Sequence, residues 1–318
     1  MTLAIVPFPV DLPTSLALAE EALRCRLAPG EQLSELLPQV AAGIRTGRAG
    51  GGLLRTEGVA RGVVVWDPAG PVGVAVRLLY VAPPYSDVDG YTEALEVTER
   101  AAGPIAFAPG PLAGLPEEVE TSLMRGRGFA PFGRSEMVLP PAAPVDSAPL
   151  PSGVDLRPVR DSDQGALARL HERAYEDHLD RYLAIEDLDP ARDADRQLRD
   201  YFAGRYGQLL SPGSSVATRD GRAVAAAIAS RHSNRALLID VMADPEWQGA
   251  GLGRAVLSDA VRALRVRGES PIVLNVTEGN DRATRLYSHL GFVRTLGPTR
   301  EWYDARRLRV RFPDRPSR

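Results

Sequence analysis

Gln248-Gly249-Ala250-Gly251-Leu252-Gly253 is the stretch of this chain whose residue types and spacing can do chemistry. It follows an apolar run, Ala236 to Ala243, and opens a segment with apolar residues at helical spacing: Val256, Leu257, Ala260, Val261 and Leu264. A strand feeding a glycine-rich loop at a helix start leaves main-chain N–H groups unpaired and pointing outward. Backed by the positive end of the helix dipole, those groups form an anion site suited to a pyrophosphate. Glycine lets the main chain approach the phosphates because no Cβ intervenes. Two rival phosphate loops are excluded. The dinucleotide fingerprint needs a third glycine where this chain has Arg254 or Val256. The triphosphate loop needs a lysine, and none occurs in the 318 residues.

A second constellation follows. Pro271 to Val276 reads as a buried strand, and Asn280 as the N-cap of the next helix. Ala283, Leu286, Tyr287 and Leu290 share one face of that helix; Gly291 ends it and Phe292 opens another strand. Taken together, Gln-x-x-Gly-x-Gly after a strand and Asn-x-x-Ala-x-x-Leu-Tyr-x-x-x-Gly-Phe resemble the two signatures of the GCN5-related N-acetyltransferase (GNAT) family, in the family's order.

That resemblance implies an α+β fold, a twisted mixed sheet flanked by helices, with acetyl-CoA as co-substrate. It assigns the pyrophosphate to Gln248 and the amides of Gly249, Ala250, Gly251, Leu252, Gly253 and Arg254. Arg254 either adds a charge-assisted contact or is solvated. The main chain of Val241, Met242 and Ala243 would pair with the pantetheine arm, and the amide of Met242 or Ala243 would donate to the thioester oxygen. Tyr287 matches the tyrosine that protonates the leaving thiolate, and Asn280 an asparagine that touches the cofactor, beside its cap role. The implied reaction is direct attack by an amine in a ternary complex, because Cys25, the only cysteine, lies far from these motifs.

The general base is left open. Many family members carry a glutamate or histidine on the strand before the loop, where this chain has aliphatic Leu237 and Ile239. Asp240 is the only carboxylate on that strand, and alternation points it to the opposite face unless a bulge intervenes. Glu172, His178 and a water chain are the alternatives, within a region (His171, Glu172, Tyr175, Asp177, His178 and the acidic run Glu186 to Asp195) that walls the acceptor cleft in this family.

Composition narrows the rest. A formal net charge of -3, with arginines dispersed among carboxylates, gives no nucleic-acid footprint. Without lysine there is no Schiff-base nucleophile. One cysteine gives no disulfide or thiolate cluster, and His171 and His178 lack an acidic partner cluster, so no metal site is expected. Gly-x-Ser-x-Gly is absent, which argues against an α/β-hydrolase. The apolar opening, broken by Pro7 and Pro9, reads as neither signal peptide nor membrane span, so a cytoplasmic protein acting on a small-molecule amine is expected. Oligomeric state is not readable.

The proline-rich segment from Pro140 to Pro151 divides the chain into 1–140, a spacer at 141–151, and 152–318. The halves echo one another. Ser215–Thr218, Asp220-Gly221 and Ala223–Ile228 read as a hairpin, as do Val63–Trp66, Asp67–Gly70 and Val72–Tyr80. Leu123-Met124 with Gly128-Phe129 repeats Leu286-Tyr287 with Gly291-Phe292, and Arg134–Leu139 mirrors Thr299–Tyr303. Two tandem GNAT-like domains are therefore expected, the alternative being an unrelated α+β domain in the first half. The first copy has Tyr85-Ser86-Asp87-Val88-Asp89-Gly90 in place of the phosphate loop and Met124 in place of Tyr287. Its expected role is structural, or the shaping of an acceptor cleft. Besides an N-acetyltransferase of the tandem, small-molecule type, two readings remain: a coenzyme A-binding sensor without turnover, and a protein acetyltransferase whose first copy docks a partner.

Overall fold

The computed structural model of the chain describes residues 2–306 except 10, 27–32, 47–48, 69–72, 177–179, 181–188, 233 and 296–298; the side chains of 26, 34–36 and 39 are also outside it. The chain forms two compact units, Met1–Gly133 with Thr299–Arg318, and Arg134–Pro298. Along the first run β1 (Ala4–Pro7), α1 (Leu12–Arg26), α2 (Leu33–Thr46), β2 (Gly50–Thr56), β3 (Val59–Pro68), β4 (Val74–Val81), α3 (Val88–Ala102), β5 (Ile105–Pro109) and α4 (Glu117–Gly126). β6 (Phe129–Leu139) carries the chain into the second unit. There follow β7 (Asp155–Pro158), α5 (Gln164–Ala174), α6 (Pro190–Phe202), β8 (Gln208–Leu209), β9 (Ser215–Arg219), β10 (Arg222–His232), β11 (Arg235–Ala243), α7 (Leu252–Val266), β12 (Ile272–Thr277), α8 (Asp281–His289) and β13 (Val293–Arg294). β14 (Thr299–Asp304) returns the chain to the first unit.

Each unit is a mixed sheet with helices against it, as the family resemblance implies. The first is ordered β1-β2-β3-β4-β5-β14, with β4 and β5 parallel. The second is ordered β6-β12-β11-β10-β9-β7, with β11 and β12 parallel. The hairpin read at Asp220-Gly221 is present, both residues having positive φ (49° and 75°) as its tight turn requires. In the matching hairpin of the first unit, residues 69–72 lie outside the described residues.

The closing strands differ from the sequence reading. Arg134–Leu139 of β6 pairs antiparallel with β12, from Thr277↔Arg134 to Ile272↔Leu139, and β14 pairs with β5 in the first unit. Each copy therefore takes its last strand from the other half of the chain, and the units differ by those strands from 1–140 and 152–318. Alternation explains why this was illegible: buried Ser135, Met137 and Leu139 specify a face, not a sheet. Met137 and Leu139 enter the core of the second unit, while Trp302 of β14 is fully buried in that of the first. There its Nε1 donates to the buried Glu120 carboxylate at 2.7 Å, which also accepts the Leu112 N–H at 3.1 Å.

The start of the proline segment is docked rather than a free spacer. The Arg265 guanidinium donates to the carbonyls of Ala143 (2.6 Å) and Pro140 (3.0 Å), and Ala143 and Val145 pack on the second unit's core. This exchange predicts how fragments behave. Chains 1–140 and 152–318 expressed separately should each lack a sheet strand and fail to give a cooperative thermal transition. Co-expression of the two should restore soluble protein. Two independently stable monomers would contradict the strand assignment.

Candidate active site

The site is built on β11, and its first determinant is a bulge. Ile228↔Asp240 is followed by Ala229↔Leu238, so Ile239 is an extra residue on β11. Before the bulge, Ala236 and Leu238 face the core under α7; after it, Val241 and Ala243 do. Ile239 and Met242 pack on the other face, toward α5 and α6, and Asp240 points there too. The bulge thus puts Asp240 on the face that simple alternation denied it.

The second determinant is divergence. β11 and β12 are paired only over Ala236↔Ile272, Leu237↔Val273 and Leu238↔Leu274. Beyond that point β11 continues to Ala243 and β12 to Thr277 without pairing. The Asp244 N–H donates to Val224 of β10 at 2.9 Å, which fixes the alternation of the ladder. Met242 therefore turns its main chain to β10, whereas Val241 and Ala243 turn theirs to the gap beside β12. Of the two amides expected to reach a thioester oxygen, that of Ala243 faces the gap; Met242 is displaced because its N–H belongs to the ladder.

The third determinant is the loop. Asp244 is buried and held by Arg173 Nε (2.7 Å) and Arg222 Nη2 (2.8 Å), and it accepts the Glu246 N–H at 3.1 Å. Burial alone would raise its pKa, but these donors and charges hold the carboxyl below its ordinary range. The anchored turn Pro245–Trp247 leads into Gly249 (φ 83°) and Gly251 (φ 81°), both left-handed. A Cβ at either would meet nothing within 4 Å, so conformation requires the glycines and the space before them is open. Gly251 is the N-cap of α7 and gives no side-chain cap.

Among the described residues, the N–H groups of Gly249, Gly251, Leu252, Gly253 and Arg254 have no acceptor. Those of Gln248 and Ala250 are internal, donating to Pro245 and Trp247 at 3.2 Å each, so Ala250 departs from the expected row of donors. Gln248 and Arg254 are exposed. An uncapped helix start costs about 0.5–2 kcal/mol. Burial of Leu252, Val256, Leu257, Val261 and Leu264, at about 1.5–3 kcal/mol each, holds α7 regardless.

In the first unit the same places are closed. Asp87 caps α3, accepting the Gly90 N–H at 2.8 Å, with Asp89 in the first turn. The N–H of Val81, the last residue of β4, meets the hydroxyl of fully buried Tyr91 at 3.5 Å, and that hydroxyl donates to Ala113 at 2.9 Å.

Around Asp240 the second unit gathers a polar cluster. Tyr175 Oη donates to Asp240 Oδ1 at 2.7 Å; Tyr201 Oη stands 3.5 Å and His171 Nε2 3.7 Å from Oδ2. Gln197 Nε2 donates to Tyr201 Oη at 2.9 Å, and the His171 and Tyr175 rings lie against each other at a 32° tilt with centroids 4.4 Å apart. Burial raises the Asp240 pKa above the ordinary carboxylate range, against the lowering pull of His171 and Tyr175. Thr277 donates to Asp180. Tyr287 is buried on α8 against Phe292, and no acceptor for its hydroxyl occurs among the described residues. Burial, then the charges of Asp240 and Asp180, push its pKa well up, which keeps the hydroxyl protonated.

Asn280 caps α8 as expected, accepting the Ala283 N–H at 3.1 Å. Glu172 makes no described contact with Asp240; His178, Asp177 and Glu186 lie outside the described residues. Tyr201 and Gln197 carried no signal in the sequence, being brought to Asp240 from about 40 residues away by packing alone.

Comparison with known proteins agrees with this geometry. Residues 170–292 match the profile of the acetyltransferase (GNAT) family. A curated relative, mycothiol acetyltransferase of Thermomonospora curvata, is 32% identical over 88% of this chain and 89% of its own. A GCN5-related N-acetyltransferase from Sphaerobacter thermophilus shares the fold at TM-score 0.64 and 17% identity, covering 94% of both chains. A tandem GNAT protein from the clavulanic acid biosynthesis pathway does so at TM-score 0.54 and 16% identity, over 94% of this chain and 97% of the other. With two diverging parallel strands, an uncapped glycine loop and a full-length relative, this chain belongs to the GNAT family of acetyltransferases.

Proposed function

We propose that the second unit transfers an acetyl group from acetyl-CoA to a small-molecule amine by direct attack in a ternary complex. The observation that carries this reading is the set of main-chain donors without an acceptor among the described residues: Val241 and Ala243 in the gap, and Gly249 and Gly251–Arg254 at the start of α7. Their chemistry fits a diphosphate joined to an amide-bearing arm, and no side-chain carboxylate caps them. When bound, acetyl-CoA supplies the activated acetyl group. Gln248 and the loop amides hold the diphosphate, with Arg254 at the mouth, and the Ala243 N–H is the donor placed for charge that develops on the carbonyl oxygen. Asn280 serves the site through its cap, which fixes the start of the helix bearing Tyr287.

Asp240 takes the proton from the acceptor amine, which is mostly protonated at neutral pH. Its raised pKa brings the carboxylate nearer the working pH of a general base. Tyr287 gives its proton to the departing sulfur. Resemblance to a mycothiol acetyltransferase over most of the chain favours a small amine over a protein acceptor. The first unit is assigned a structural role, because the Asp87 carboxylate caps α3 and the Tyr91 hydroxyl meets the last amide of β4, so these donors already have acceptors.

Gly251→Asp should weaken acetyl-CoA binding in calorimetry by at least about tenfold, since φ of 81° strains any side chain by about 1–2 kcal/mol and the carboxylate repels phosphate. Unchanged affinity would remove the loop from the site. Tyr287→Phe should lower kcat by about 10²-fold with acetyl-CoA affinity kept; equal loss of both would assign the tyrosine to packing. For Asp240 the sign follows from its raised pKa: the carboxyl stays protonated to higher pH, so the acid limb of kcat/KM should lie above about pH 4. Asp240→Asn should abolish that limb and lower kcat/KM by about 10²–10⁴-fold. An unaltered profile would exclude Asp240 as base. Binding without release of free coenzyme A for any amine would favour the sensor reading.

A further inference from the structure

The direction of the glycine loop is set at one carboxylate. The Asp244 N–H makes the last main-chain bond to β10 among the described residues, to the Val224 carbonyl at 2.9 Å. After it, the N–H groups of Trp247, Gln248 and Ala250 bond within the turn, to Asp244, Pro245 and Trp247. Gly249 and Gly251 are left-handed and have no side chain to hold them. Two side chains tie the turn down. Trp247 packs on the core, with the Arg219 guanidinium 4.7 Å from its ring centroid. Asp244, 1% exposed, takes Arg173 and Arg222 on Oδ2 and the Glu246 N–H on Oδ1, so its oxygens already have their donors.

The two arginines differ. All three nitrogens of Arg173 are engaged: Nε on Asp244 at 2.7 Å, Nη1 on the Arg169 carbonyl of its own helix at 2.8 Å, and Nη2 on the Ala223 carbonyl of β10 at 3.2 Å. The planar fork joins α5, the start of β10 and the turn in one orientation. Arg222 gives Asp244 a single nitrogen at 2.8 Å. Its Nη1 lies 3.6 Å from exposed Glu246, and its side chain is 49% exposed, so solvent screens it. We propose that Arg173 is a positioning residue for the cofactor: acting through Asp244, it holds the turn so that the amides of Gly249 and Gly251–Arg254 converge on the diphosphate, with Arg222 a lesser support. The inference rests on the acetyl-transfer reading, and it extends the cofactor site to α5. Donors fixed before the ligand arrives lose little further freedom when it binds.

A guanidinium also attracts a diphosphate by charge alone, and the two accounts differ in sign. Removing the Asp244 charge leaves two guanidinium groups without their carboxylate, which strengthens attraction for phosphate. If the carboxylate positions the turn, its loss weakens binding instead. A single amide oxygen in its place cannot serve both the guanidinium groups and the Glu246 N–H.

Calorimetry of coenzyme A binding to the full chain, without an acceptor, tests the proposal. Arg173→Ala and Asp244→Asn should each raise Kd about tenfold, and Arg222→Ala no more than about threefold. Combining Arg173→Ala with Asp244→Asn should cost no more than the worse single change, since both remove one interaction. Arg173→Lys, which keeps the charge but not the fork, should lie nearer to Arg173→Ala than to the wild type. In the assay, acetyl-CoA KM should rise with Kd while kcat at saturation holds, a split that general loss of stability does not give. Wild-type affinity in Arg173→Ala or Arg173→Lys, tighter binding by Asp244→Asn, or additive losses in the double variant overturns the proposal. Should Arg173→Ala fail to fold, Arg173→Lys and Asp244→Asn decide it by the same rise in Kd. If the wild type does not bind coenzyme A, the acetyl-transfer reading has failed and this inference with it. If the wild type binds coenzyme A and acetylates an amine while Arg173→Ala matches it, only this inference has failed.

Discussion

One extra residue on one strand governs the site. Ile239 breaks the register of β11 against β10, and the pairing of β11 with β12 ends one residue before it, at Leu238↔Leu274. A parallel pair that separates leaves main-chain N–H and C=O groups without partners, and such groups are costly to bury unless something meets them. Here the groups of Val241 and Ala243, unmet among the described residues, lead directly to the anchored turn at Asp244 and then to the uncapped start of α7. Strand gap and helix start form one continuous line of donors. The same bulge turns Asp240 onto the face of α5 and α6, so the strand gap and the candidate base have a common structural origin.

The two copies show what this arrangement requires by showing it undone. Both have a parallel strand pair that is short and a helix after a short loop. In the first unit a carboxylate caps the helix and a buried tyrosine hydroxyl meets the last strand amide. These are ordinary stabilising devices, each worth about 1 kcal/mol. The second unit forgoes them. Its α7 is held instead by a broad apolar face, and its loop by the Arg173–Asp244–Arg222 cluster.

Much of this was legible in the chain. The glycine loop, the helix after it, the Asn280 cap and the Tyr287 face all follow from local spacing, and the structure forms each of them, with the Ala250 amide turned inward. Three things were not legible, for distinct reasons. A bulge adds one residue without any local marker, and Ile239 is an ordinary strand residue; hence the face of Asp240 stays conditional on a bulge that only the structure shows. The exchange of β6 and β14 leaves no trace because alternation sets which face of a strand is buried, not its neighbour. The partners of Asp240 come from helices 40 to 70 residues away, and only packing unites them.

The central claim is that a row of unpaired main-chain donors in the second unit grips a diphosphate-bearing thioester. Residue-resolved amide hydrogen exchange with and without coenzyme A tests it most directly. The account predicts added protection at Val241, Ala243, Gly249 and Gly251–Arg254, with little change at Met242, Ala250 or the first turn of α3. Equal exchange at the loop amides in both samples, or protection confined to the first unit, would contradict it.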